Sequence, residues 1–179
     1  MGVYTKIKAV FLDRDGVLNK AVVIDGKPYP PKSLEEVNIA EGVKEGLEQL
    51  KKLGYLLIVI TNQPDVARGT TSMKTVDDIN NYLKQQLFID DFFCCVHDNA
   101  DQCECRKPKP GMIFAAAKKW NIDLDHSFMV GDRWRDIETG KNANIRTILI
   151  DYGYNEKYSI PDFSCKNFIE TTEIIKSLT

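Results

Sequence analysis

Ile7-Lys8-Ala9-Val10-Phe11-Leu12 runs straight into Asp13-Arg14-Asp15-Gly16. A short, β-rich apolar run bounded in this way reads as a buried strand. The two carboxylates then leave the strand at its carboxyl end, where open α/β sheets hold their ligands. There a pair of carboxylates can bind a divalent cation, attack as a nucleophile or carry a proton. Asp-x-Asp-Gly also occurs in plain turns and in calcium loops, so the rest of the chain must decide among these roles.

Downstream, strands and helices alternate. Residues 41–53 read as a helix with Val43, Leu47 and Leu50 on one face and Gly54 just past its end. Residues 55–60 read as a strand, 73–88 as a helix capped by Thr71 or Ser72, and 92–96 as a third strand. Pro110 opens a helix in which Ile113, Ala116, Ala117 and Trp120 share a face. Residues 127–130, a helix near 134–143 and residues 146–150 follow. A short strand near 164–169 and a helix near 171–178 end the chain. This alternation predicts an α/β fold, with a mostly parallel central sheet and helices on both faces. The segment 19–40, with Pro28, Pro30 and Pro31, reads as an irregular loop of the kind that covers a site. It is too short for a separate cap domain, and the 179 residues read as one domain, 1–179.

The composition is that of a soluble globular protein: 43% hydrophobic, 28% charged, formal net charge -2. That balance argues against a nucleic-acid partner and against a membrane-attracting basic face. No apolar run approaches the roughly 20 residues of a membrane span. The first residues lack a signal-peptide core. Gly2 is followed by Lys6 rather than the Ser or Thr of a myristoylation signal. A cytoplasmic location is expected. No heptad or self-pairing stripe is visible, so a monomer is expected.

In a parallel sheet the residues after each strand gather at one edge. Strand one delivers Asp13 and Asp15, strand two Thr61-Asn62-Gln63, strand three a Cys/His loop and Arg106-Lys107, and strand four Gly131-Asp132-Arg133 with Asp136. Taken singly, each has a plain reading as a turn, a cap or a solvated loop. Carboxylates, donors and cations converging on one edge suit a phosphoryl group held beside a divalent cation.

Four of the five cysteines (Cys94, Cys95, Cys103 and Cys105) fall between residues 94 and 105, and Cys165 stands alone. This odd, clustered set reads as metal binding rather than as a disulfide framework. Cys95, His97, Cys103 and Cys105 make a three-thiolate, one-imidazole set suited to a closed structural Zn²⁺ site in the loop 95–105. Reduced core cysteines beside a surface histidine are the plain alternative. Cys94 should point away from Cys95 across the strand.

The order Asp13-Arg14-Asp15-Gly16-Val17, Thr61-Asn62-Gln63, Lys107-Pro108, and Gly131-Asp132 with Asp136 resembles the haloacid dehalogenase (HAD) superfamily of phosphatases over residues 7–153. Ala67-Arg68-Gly69, Cys105-Arg106-Lys107-Pro108, Pro110-Gly111-Met112 and Met129-Val130-Gly131-Asp132 are most similar to the D,D-heptose 1,7-bisphosphate phosphatases and the related histidinol-phosphate phosphatases. The resemblance implies a Rossmann-like HAD fold and Mg²⁺-dependent hydrolysis of a phosphorylated sugar, foremost the 7-phosphate of D-glycero-D-manno-heptose 1,7-bisphosphate. It implies Asp13 as nucleophile, Asp15 as acid and base, and Thr61 and Lys107 as stabilisers of the transferring group. The Mg²⁺ ligands would be Asp13, the Asp15 carbonyl and Asp132. Asn62, Gln63, Arg68, Arg106 and Arg133 are the expected substrate contacts.

The Cys/His loop resembles the zinc loop of these families, with Val96 in place of the usual proline and a five-residue spacer of the histidinol type. Arg133 stands where the heptose enzymes carry Lys, and the 19–32 loop departs from theirs. Histidinol phosphate or another small phosphomonoester is the alternative substrate, and a non-catalytic sugar-phosphate-binding subunit is the alternative class.

Overall fold

A computed structural model describes residues 6–179. The expectations placed on Gly2 and its neighbours up to residue 5 lie outside the described residues. Strand β1 (Ala9–Leu12) is followed by a hairpin of β2 (Val22–Ile24) and β3 (Lys27–Tyr29), then helix α1 (Val43–Lys52), β4 (Leu56–Asn62), α2 (Met73–Gln86) and β5 (Asp91–Cys95). Next come α3 (Gly111–Trp120), β6 (Phe128–Gly131), α4 (Trp134–Asn142), β7 (Arg146–Ile150), β8 (Phe163–Cys165) and α5 (Phe168–Ser177).

Six strands form one sheet in the order β5-β4-β1-β6-β7-β8, and every pairing is parallel. Strand β1 is central, with Phe11 registered against Ile58 on one side and Met129 on the other. The chain builds outward from β1 through β4 and β5, then returns to place β6 on the opposite side. That reversal opens a crevice at the carboxyl ends of β1, β4 and β6.

The period-two alternation of the strands divides the core. Val10, Leu12, Leu57 and Val59 pack with Leu47 and Leu50 of α1, Ile79 and Leu83 of α2, and Phe168 and Ile175 of α5. Ala9, Phe11, Ile58 and Ile60 face the other way, onto Met112, Ile113 and Ala116 of α3. Helix α4 packs on β6 and β7. A Cβ at Gly140 would lie 2.5 Å from Thr147 and 2.9 Å from Met129, so a glycine sets how closely this helix approaches the sheet. Each fully buried side chain of Leu, Ile or Phe size contributes about 1.5–3 kcal/mol relative to exposure. Both faces of β1 are therefore strongly anchored, which fixes where residues 13–15 emerge.

Two local readings are corrected. The stretch 19–40 is not wholly irregular, since Val22–Ile24 and Lys27–Tyr29 pair antiparallel around Asp25-Gly26. Both turn residues have positive φ, 50° and 74°, the requirement of a tight primed turn. The Asp-Gly pair between β-branched residues and a Pro-Tyr was the signal for it. The last strand is shorter than expected and the last helix starts earlier, because the Asn167 side chain accepts from the Glu170 amide at 2.9 Å and caps α5. The Ser72 cap of α2 forms as expected. Among the described residues, no helix is long and apolar enough to cross a membrane.

Candidate active site

Asp13 leaves β1 with its amide bonded to the Val130 carbonyl at 3.0 Å, so β1 and β6 hold the residue from both sides. Its Oδ1 accepts from the Arg14 amide at 2.7 Å and lies 2.8 Å from Lys107 Nζ. Both contacts fall on one oxygen. They fix the carboxylate plane and leave Oδ2 without a hydrogen bond among the described residues. Burial pushes the Asp13 carboxyl up to about 6; the charge of Asp136 adds to this and Lys107 opposes it.

Lys107 is 3% exposed and reaches three acceptors: Asp13, Asp136 Oδ1 at 2.6 Å and the Ile60 carbonyl at 3.0 Å. Burial works against its charge, but Asp13 and Asp136 more than offset that and hold its pKa well above the usual lysine range. Its backbone is clamped by Asn62, whose amide accepts from Lys107 N at 3.0 Å and donates to Lys107 O at 3.1 Å. These two bonds occupy the amide end of the Asn62 side chain, and Asn62 also lines the cavity above Asp13.

Asp15 is held by four donors. Arg14 gives Nε at 3.1 Å and Nη2 at 3.0 Å, Asn19 gives Nδ2 at 3.0 Å and Gln63 gives Nε2 at 2.7 Å. Gln63 also donates to Thr61 Oγ1 at 3.0 Å and is set back from the cavity wall, so its bonds go to Asp15 and Thr61 rather than outward. Arg14 is 1% exposed, and its remaining arm donates to Asn80 of α2 at 3.0 Å. Arg14 and Asn80 thus position Asp15, and the sequence reading missed both. The partner of Arg14 lies 66 residues away, and no local pattern announces such a pair.

Asp132, just after β6, is buried, and among the described residues neither of its carboxylate oxygens has a hydrogen-bond partner. Burial first, then the charges of Asp13 and Asp136, raise its pKa well above the usual carboxylate range. Oxygens of Asp13, Asp132 and Asp136 lie within 4.8 Å of one another. An unpartnered buried carboxylate is costly unless something positive joins it, and hard oxygen donors suit Mg²⁺. Asp136 is already engaged, through Lys107 on Oδ1 and the Arg133 amide on Oδ2 at 3.1 Å. It therefore supports the lysine and caps α4. Two glycines make room for the carboxylates. A Cβ on Gly16, which sits at φ +95°, would fall 1.8 Å from Asp132 Oδ2, and one on Gly131 would fall 2.0 Å from Asp136 Cβ.

The cavity above Asp13 is lined by Asp15, Thr61 and Lys107, by Tyr29 and Lys27 of the β2–β3 hairpin, and by Arg68, Arg106, Arg133 and Arg135. The hairpin thus forms part of the wall, as a long connection over a site suggests. Arg68 pairs with Asp98 at 2.8 Å and with Asp65 at 3.3 Å. Arg106 donates to Asn99 Oδ1 at 2.9 Å and to the His97 carbonyl at 3.1 Å. Arg133 grips Glu156 through Nε at 3.0 Å.

Between β5 and α3, Cys95, His97, Cys103 and Cys105 converge. Cys105 Sγ lies 3.1 Å from Cys95 Sγ, 3.4 Å from Cys103 Sγ and 3.3 Å from His97 Nδ1. Cys95 Sγ lies 3.7 Å from both Cys103 Sγ and His97 Nδ1. Ligands about 2.3 Å from a tetrahedral metal stand about 3.7 Å apart, so this set matches a closed thiolate-rich site in chemistry and nearly in size. Cys94 is outside the cluster, as strand alternation requires, and burial pushes its thiol up to about 11. Gly111 at the start of α3 lets the loop dock, for a Cβ there would lie 2.3 Å from the Glu104 carbonyl.

The model of the haloacid dehalogenase-like hydrolase family matches residues 27–150. The chain is 38% identical over 175 residues to the D-glycero-beta-D-manno-heptose-1,7-bisphosphate 7-phosphatase of Helicobacter pylori, covering 94% of this chain and 98% of that one. It is 35% identical over 178 residues to the D-glycero-alpha-D-manno-heptose-1,7-bisphosphate 7-phosphatase of Campylobacter jejuni, covering 96% and 97%. The crystal structure of the D,D-heptose 1,7-bisphosphate phosphatase of B. bronchiseptica, complexed with magnesium and phosphate, superposes with a TM-score of 0.82 at 27% identity. That match covers 97% of this chain and 100% of that one.

Proposed function

Since the chain belongs to the haloacid dehalogenase-like hydrolase family, we propose that it hydrolyses a sugar phosphate, namely the 7-phosphate of D-glycero-D-manno-heptose 1,7-bisphosphate. The carrying observation is Asp13. One of its oxygens is pinned by Lys107 and the Arg14 amide and the other is free, beside the unpartnered Asp132.

Asp13 Oδ2 attacks phosphorus and the bond to the sugar oxygen breaks, giving an aspartyl phosphate. Asp15 delivers a proton to the departing oxygen, then takes one from the water that hydrolyses the intermediate. For the first step the Asp15 carboxyl must carry a proton and turn from the Arg14, Asn19 and Gln63 donors toward the leaving group. Lys107 and the Thr61 hydroxyl stabilise the equatorial oxygens of the transferring group. Mg²⁺ held by Asp13, the Asp15 carbonyl and Asp132 would neutralise phosphate charge. Zn²⁺ on Cys95, His97, Cys103 and Cys105 would staple the loop that carries Arg106 and Lys107. The protein acts as a cytoplasmic monomer in this reading.

The test is phosphate release with Mg²⁺ from both anomers of the heptose bisphosphate and from histidinol phosphate. Preferred turnover of one heptose anomer, abolished by Asp13→Asn, is expected. Dominant turnover of histidinol phosphate overturns the substrate assignment, and full activity of Asp13→Asn overturns the mechanism. Stoichiometric zinc in protein purified without added metal is expected, and its absence removes the structural-zinc assignment.

A further inference from the structure

The arginines on the cavity wall differ in one respect. Arg68 and Arg133 are tied to carboxylates, and Arg106 is tied to Asn99 and the His97 carbonyl. Arg135 also lines the cavity, yet among the described residues its guanidinium makes no hydrogen bond and no ion pair. It is half-buried, and its guanidinium carbon lies 5.2 Å from the centre of the Trp134 ring. Burial, followed by the charges of Arg106 and Arg133 and only partly offset by Glu156 and Asp136, lowers its pKa from the usual arginine value. It also occupies the first turn of α4, where the helix dipole disfavours a cation. Lys27 is likewise without a partner but is exposed, so water solvates its charge.

A guanidinium that is partly desolvated, repelled by two neighbours and unpaired is unfavourable in the free protein. It becomes favourable when a dianion enters. We propose that Arg135 is a specificity-determining contact for the second, uncleaved phosphate of a bisphosphorylated substrate, with Arg106 and Arg133 beside it. This rests on the sugar-bisphosphate reading above. The plain alternative is a guanidinium that only stacks on Trp134 at the rim.

Steady-state kinetics of the wild type, Arg135→Gln and Arg135→Lys on the heptose 1,7-bisphosphate and on the heptose 7-phosphate separate the two. Loss of a charge-assisted contact corresponds to about 10- to 100-fold in kcat/KM. Arg135→Gln is expected to lose at least ten times more on the bisphosphate than on the monophosphate, chiefly through KM. Arg135→Lys should recover part of it, since the charge remains and the fork is lost. A wild type that prefers the bisphosphate while Arg135→Gln keeps that preference overturns the assignment of Arg135 and leaves the substrate reading standing. A wild type with no preference for the bisphosphate overturns the substrate reading and this proposal with it. The monophosphate activity also serves as the check that the variant folds.

Discussion

Lys107→Met removes the only cation that touches both Asp13 and Asp136 among the described residues, while keeping most of the packed stem. Lys107 lies 2.8 Å from Asp13 and 2.6 Å from Asp136 and is 3% exposed. In the variant three buried carboxylates, those of Asp13, Asp132 and Asp136, face one another without it. Breaking a buried pair in this way costs about 3–5 kcal/mol. At about 2–4 °C per kcal/mol for a chain of this size, that is a fall of roughly 6–20 °C in Tm. The loss must depend on pH. Lys107 lowers the pKa values of Asp13 and Asp132, so its removal raises both further above the unfolded value of 3.8. A carboxyl raised in the folded state binds more protons there than in the unfolded chain, so stability falls as pH rises from the unfolded to the folded pKa. In the variant that window extends higher. The gap to wild type should therefore be largest near pH 8 and shrink toward pH 5. Urea denaturation in magnesium-free buffer at the two pH values measures it. A gap below about 1 kcal/mol at pH 8, or one no smaller at pH 5, refutes the account of a buried charge cluster neutralised by Lys107.

Other perturbations probe the same site. Asp132→Asn removes an unpartnered buried charge, so the magnesium-free protein should gain about 1–3 kcal/mol by urea denaturation and lose its thermal stabilisation by Mg²⁺. With the Asp13 pKa near 6 in the folded state, magnesium-free wild type should lose stability between about pH 4 and 6 relative to Asp13→Asn. Calorimetric Mg²⁺ affinity should weaken below about pH 6 as protons compete. Gly16→Ala places a methyl 1.8 Å from Asp132 Oδ2 at a φ of +95°. It should abolish phosphate release and Mg²⁺ stabilisation, and retained activity would show that the turn can shift.

Much of this arrangement was legible beforehand because it depends on local pattern. The apolar run into Asp13, the strand–helix alternation and the clustered cysteines are short-range features, and the strand ends carried Thr61, Lys107 and Asp132 to one edge as the alternation required. What escaped was the allocation of hydrogen bonds. Gln63 and Asn62 read as substrate donors, but one holds Asp15 and Thr61 and the other clamps Lys107 across 45 residues. Pro28, Pro30 and Pro31 give the β2–β3 segment the pattern of an irregular loop, and Asp25-Gly26 is the one local sign of its hairpin.

By itself the sequence determined the sheet and the edge at which Asp13, Asp15, Thr61, Lys107 and Asp132 gather, because periodicity and motif spacing are properties of neighbouring residues. The tertiary structure alone decided which groups are occupied and which are free. Among the described residues Asp132 has no hydrogen-bond partner, Asp136 is taken by Lys107 and the α4 cap, and Arg135 stands unpaired beside paired arginines. Such assignments depend on which distant side chains meet in a dry interior. There an unpaired charge is costly, which sets the buried Asp132 apart from the engaged carboxylates around it.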